Sequence, residues 1–151
     1  TEQAGLSYPV FFRRFGSKEE LLDDLAATEV RNLIDFTLPH FKNSETSTSL
    51  RRLCEYVDVH RGAWKSLLTT SAASAMRREF ARIAAEIAAE QPRLNPSLPV
   101  SLTSDFVASG IFTILAWWLQ QAETYPIGNV IAFLEVLIVR PTLTPHDLKL
   151  D

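Results

Sequence analysis

The chain has 151 residues, 46% of them apolar and 22% charged, which supplies a sizeable core and excludes an extended disordered segment. Few glycines, abundant Ala, Leu, Glu and Arg, and no long β-branched alternation point to an all-α protein. The net charge of −3 speaks against a uniformly basic nucleic-acid coat, but Arg13, Arg14 and Lys18 against Glu2 leave +2 on residues 1–18 and hence −5 on the remainder. That distribution is a basic tip on an acidic body.

Residues 1–4 read as the tail of a helix without its start. Gly5 permits the positive φ that ends it. Ser7 is a natural N-cap for the next helix, and Pro9 falls in its first turn, where no N–H partner is required. Phe11 and Phe15 are four apart and share one face; Tyr8 and Phe12 share another, with Arg13 and Arg14 beside them. Gly16 closes this short helix. Ser17 then opens a longer one with a capping box, Glu20 standing three residues on. Turn, short helix, turn, long helix is the second half of a helix-turn-helix, with residues 7–15 as the recognition helix.

Ala4, Gly5, Leu6, Ser7, Phe11, Phe12, Phe15, Ser17, Lys18, Glu19 and Leu21 form an ungapped motif over residues 4–22 that resembles the tetracycline-repressor (TetR) family of transcriptional regulators. Two positions depart from the family pattern: Phe12 stands where a Tyr is usual, and Arg14 where a His or Tyr is usual. The first loses a hydroxyl that in such proteins meets a phosphate; the second adds a charge able to replace it. The resemblance implies that the first helix and most of the second of the DNA-binding domain are missing from the sequence. It also implies a double-stranded DNA operator as partner. Arg13, Arg14 and Lys18 would neutralise phosphates, Lys18 at a helix start whose N–H groups also favour an anion. Ser7 would cap the reading helix, and Tyr8, Pro9 and Phe12 would face the major groove. The alternative is that Tyr8 and Phe12 pack on the missing helices.

Residues 17 to about 41 form one amphipathic run, with Leu21, Leu22, Leu25, Val30, Leu33, Ile34 and Phe36 at helical spacing; Pro39 is expected to end or kink it. In the resembling family this helix transmits ligand binding to the recognition helix. A polar loop over 42–49 precedes a helix to about His60 carrying Leu50, Leu53, Cys54, Val57 and Val59. Arg61, Gly62 and Ala63 mark a break before a short helix with Trp64, Leu67 and Leu68. Residues 72–91 read as a long helix with the stripe Met76, Phe80, Ile83, Ala84 and Ile87. Its alternating charges Arg77, Arg78, Glu79, Arg82, Glu86 and Glu90 read as a solvated face. Three prolines make 92–99 a loop.

Residues 102–121 form the most apolar helix, uncharged between Asp105 and Glu123. It carries Phe106, Val107, Ile111, Phe112, Ile114, Leu115, Trp117, Trp118 and Leu119 around nearly its whole circumference. A membrane span needs roughly 20 apolar residues; Ser109, Gly110, Thr113, Gln120 and Gln121 make this run too interrupted, and no membrane partner is expected. Ala108, Ser109, Gly110 and Ala116 allow close helix approach. Pro126 opens a second apolar helix, 127–139, which Pro141 is expected to stop; the tail 142–151 is expected to fray. Two helices too apolar for a monomer surface predict a self-association face. A homodimer through 102–121 and 127–139 would be a four-helix bundle, the arrangement that the resemblance also implies.

No catalytic constellation stands out, and no enzyme activity is expected. His40, His60 and His146 are scattered, so no metal site is expected. Cys54 sits on an apolar stripe as a buried, inert thiol, and a single cysteine with no visible secretory leader fits a reducing, cytoplasmic setting. No Gly-rich phosphate loop is present, and no cofactor is expected. Phe36, Phe41, Tyr56, Trp64, Met76, Phe80, Phe112 and Trp117 offer more aromatic and thioether surface than a body this size needs to close its core. Phe36, Tyr56, Trp64, Met76, Phe80, Phe112 and Trp117 are the candidate ligand-binding set, for a small, largely apolar ligand; plain core packing is the competing reading. The sequence thus predicts an all-α, TetR-like repressor: the end of a helix-turn-helix at 1–22, a ligand-binding and dimerisation domain at 23–141, and a tail at 142–151. The alternative is a dimeric helical ligand-binding or interaction module that does not bind DNA.

Overall fold

The computed structural model describes residues 17–42, 46–90, 98–143 and 150–151. These form an all-α protein: α1 (Lys18–Lys42), α2 (Thr46–Val59), α3 (Arg61–Leu68), α4 (Ala72–Glu90), α5 (Val100–Leu119) and α6 (Ile127–Leu134). A π-helical turn (Glu135–Val139) carries α6 into the short α7 (Arg140–Leu143).

The start of α1 follows from its sequence. The Ser17 hydroxyl accepts the Glu20 N–H at 3.2 Å, the side-chain half of the expected capping box. The apolar side of α1 is Ala26, Val30 and Leu33, with Leu22 and Ile34 at its flanks. Leu25 and Phe36 fall off that stripe and are exposed, contrary to expectation, because the buried face advances by three and four residues from Ala26. α1 packs between α2 and α4, α4 packs on α5, and α6 packs on α2 and α5.

The end of α1 agrees with expectation, whereas Pro141 does not stop its helix. α1 runs through position 39 to Lys42; a proline in a final turn removes one backbone bond without ending the helix. Pro141 likewise lies inside α7. The turn before it is π-helical, with the Arg140 N–H donating to the Glu135 carbonyl. A proline removes the N–H that the carbonyl four residues earlier would accept, and the backbone ladder changes register just ahead of that gap. The break between α2 and α3 falls at His60 rather than at 61–63, and Gly62 is helical.

The core holds Trp64, Trp118, Phe112, Met76, Leu33 and Leu115, all essentially inaccessible. Cys54 lies among them, and burial pushes its thiol up to about 12. Gly110 lets α5 approach the π turn closely: a Cβ there would overlap Cδ1 of buried Ile138. Gly110→Val is therefore expected to lower stability by about 1–3 kcal/mol through overpacking. Gly128→Ala is the control. No atom lies within 4 Å of a Cβ built there, so it is expected to add about 0.5–1 kcal/mol from helix propensity. Urea denaturation of the two variants checks both signs.

The charged face of α4 is less solvated than expected. Glu79 is mostly buried and accepts from Arg82 Nη2 at 2.6 Å and from Arg31 of α1 at 3.3 Å. The hydrogen bond from Arg82 leads the causes that hold the Glu79 carboxyl below its ordinary value of 4.5. A carboxylate depressed in the folded state stabilises it at pH above the unfolded value, and that contribution is lost as pH falls through the folded one. Glu79→Gln should therefore cost stability at neutral pH, and the cost should begin to shrink as pH falls below 4.5 and vanish only below the lower folded-state value; parallel thermal melts of both proteins between pH 7 and about 3 measure this.

Candidate functional site

Three structural neighbourhoods bear on function. The first is the start of α1. Lys18 is exposed in its first turn, beside Glu19 and Glu20. Ser7, Tyr8, Pro9, Phe12, Arg13 and Arg14 lie outside the described residues.

The second is an aromatic cluster that crosses the body from the α1–α2 surface to α4. The Phe36 and Tyr56 rings are 5.7 Å apart, and Tyr56 meets Trp64 edge-on at 6.4 Å. Trp64 stacks on Phe112 at 6.0 Å, and Phe112 meets Phe80 edge-on at 5.4 Å. Met76 lies in the same buried core. Five of the seven expected ligand residues thus form one chain of ring contacts, and Met76 belongs to the core that holds Trp64 and Phe112. Trp117 does not join it: it lies on the outer side of α5, half-exposed, against Tyr125 and Phe133. Successive residues of an α-helix are rotated by about 100°, so Trp117 and buried Trp118 face different sides of α5.

A residue that the sequence did not single out organises the cluster. Glu29 Oε1 accepts from the Tyr56 hydroxyl and from Trp64 Nε1, each at 3.0 Å. One carboxylate oxygen thereby ties α1 to α2 and to α3. Burial first, and then the bond to Glu29, push the Tyr56 hydroxyl up to about 12, so Tyr56 stays a donor at ordinary pH. On the far side of Tyr56, His60 stacks at 4.3 Å. Arg52 places its guanidinium 5.2 Å above the Phe36 ring.

Arg61, expected only as part of a break, caps α5. Its Nη2 donates to the Gln121 carbonyl at 2.9 Å, with the Trp118 and Leu119 carbonyls at 3.4 Å. A cation at a helix C-terminus satisfies orphan carbonyls and favours the helix dipole.

A separate cleft of about 280 Å³ opens between α1 and α4. Ile34, Ile83 and Ile87 line it together with the carboxylates of Asp35, Glu86 and Glu90. None of the expected ligand residues is among its walls. Among the described residues no group of three or more His, Cys, Asp or Glu side chains is placed to hold a metal ion.

The third neighbourhood is the outer face of α5 and α6. Leu102, Phe106 and Trp117 of α5 are exposed, as are Phe133 of α6 and Val136 and Leu137 of the π turn. Trp117 and Phe133 meet at 5.9 Å and join the two stripes, between whose apolar side chains Asp105, Ser109 and Thr113 are also exposed. The inner face of α5 carries Ala108, Ile111, Phe112, Leu115, Trp118 and Leu119 into the core. By length and composition alone α5 is long and apolar enough to cross a membrane, a test that the core helix of a soluble protein also passes. Its polar residues therefore interrupt it less than expected, and its inner face is occupied by protein.

Comparisons with protein-family models, curated protein sequences and solved structures return no match for this chain.

Proposed function

We propose that the protein is a homodimeric, TetR-like transcriptional regulator, a repressor whose operator binding is modulated by a small ligand. The observation that carries the reading is the joined apolar face of α5 and α6, with Phe106 58% and Leu137 57% exposed. An apolar surface of this extent favours a partner over water. Two copies meeting on it make an isologous four-helix bundle. The bundle would hold two copies of the 7–15 segment at a set separation, as a two-fold operator requires.

The capped start of α1 supports the same reading, because α1 runs from the end of the 4–22 motif directly to Glu29 and the aromatic cluster. A ligand at that cluster acts on DNA binding only through differential affinity for two positions of α1. The test uses the full-length polypeptide in fluorescence anisotropy with genomic DNA fragments, alongside light scattering for its oligomeric state. A dimer that binds duplex DNA at low ionic strength and loses it with salt is the expected result. Arg14→Ala is expected to lower the salt slope by about one. A dimer indifferent to DNA would favour a helical ligand-binding or interaction module instead.

A further inference from the structure

Glu29 is a half-buried carboxylate with no ion-pair partner among the described residues. Its two hydrogen-bond donors, Tyr56 and Trp64, are both neutral and both occupy Oε1. Among the described residues no basic side chain forms an ion pair with it. Among the described residues Oε2 makes no hydrogen bond, and Glu29 as a whole is only partly buried. A carboxylate partly removed from water without a cation leaves electrostatic stabilisation unused.

The surroundings suit a cation with an apolar body. Phe36, 41% exposed, lies beside Tyr56. Aromatic faces attract ammonium and guanidinium groups electrostatically. The Phe36 ring already draws one such group from this chain, the Arg52 guanidinium.

We propose that the Glu29–Tyr56–Phe36 patch binds an organic cation with an aromatic or alkyl body, an amine or quaternary ammonium, with Glu29 Oε2 as its counter-charge. The ammonium sits against Oε2 and shares or displaces Arg52 at the Phe36 ring, while the apolar body lies on the exposed aromatic edge. Tyr56 and Trp64 hold the carboxylate in place from its other oxygen. An anionic ligand would face the Glu29 charge, and a neutral one would leave it uncompensated. This assignment rests on the ligand-responsive reading above and adds the charge of the ligand to it.

Isothermal titration of the full chain with benzyltrimethylammonium, benzyl alcohol and benzoate tests it. The cation is expected to bind at least about tenfold more tightly than the other two. Glu29→Gln retains an acceptor for Tyr56 and Trp64 and is expected to abolish that preference. Phe36→Leu, at an exposed position that keeps the fold should the Gln variant fail to fold, is expected to weaken the cation alone. Equal binding of the cation and the alcohol, or a preference that survives both substitutions, overturns the charge assignment and leaves the ligand-responsive reading standing. Binding of none of the three overturns both.

Discussion

Glutamate at both Phe106 and Leu137 is expected to turn the proposed dimer into a folded monomer. Both side chains are more than half exposed within one chain, so neither substitution opens a cavity in the protomer. Each would appear twice across a two-fold interface, adding four carboxylates to a surface that carries Leu102, Trp117, Phe133 and Val136 beside exposed Asp105, Ser109 and Thr113. An unpaired charge removed from water costs several kcal/mol. The dissociation constant should therefore rise by about a thousandfold or more. Analytical ultracentrifugation across a concentration series reads this directly, and far-UV melts report whether the protomer stays folded. A double variant that dimerises as tightly as the parent would show that two copies do not meet on this face.

Trp64→Ala is expected to be the most destabilising single change. Trp64 is fully buried, stacks on Phe112 and donates to Glu29. Removing a buried tryptophan leaves a large cavity and costs about 3–5 kcal/mol. That is a large share of the roughly 5–15 kcal/mol that holds a typical domain together. The melting temperature should fall by roughly 10 °C. Trp64→Phe keeps most of the ring contact and loses the N–H. Its cost is expected to be smaller, about 1–3 kcal/mol, from the missing donor and the reduced ring. Equal losses in the two variants would mean that the bond to Glu29, rather than packing, dominates at this position.

Where helices begin was legible in local chemistry. Ser17 and Glu20 announced the start of α1, and the prolines of 92–99 announced the separation of α4 from α5. Where helices end was less so. Pro141 reads as a stop, yet α7 carries the helix through it to Leu143. A proline near a terminus costs a single backbone hydrogen bond, and at Pro141 a π turn accompanies the register change. The apolar surplus of α5 was visible in composition, but its division into an inner and an outer face was not. Phe106 and Phe112 are alike as residues; only the placement of α3, α4 and α6 against one side of the helix separates them.

By itself the amino-acid sequence determined the all-α class, the order of the helices and the presence of excess aromatic and apolar surface. These follow from propensity, capping and periodicity, which act within a few turns. The tertiary structure alone decided that Glu29 meets Tyr56 and Trp64, 27 and 35 residues away, and that Arg61 closes the end of α5, up to 60 residues away. In the sequence Glu29 is one carboxylate of many on an amphipathic helix. Its singular environment arises from how α1, α2 and α3 pack together, and no local pattern encodes that angle.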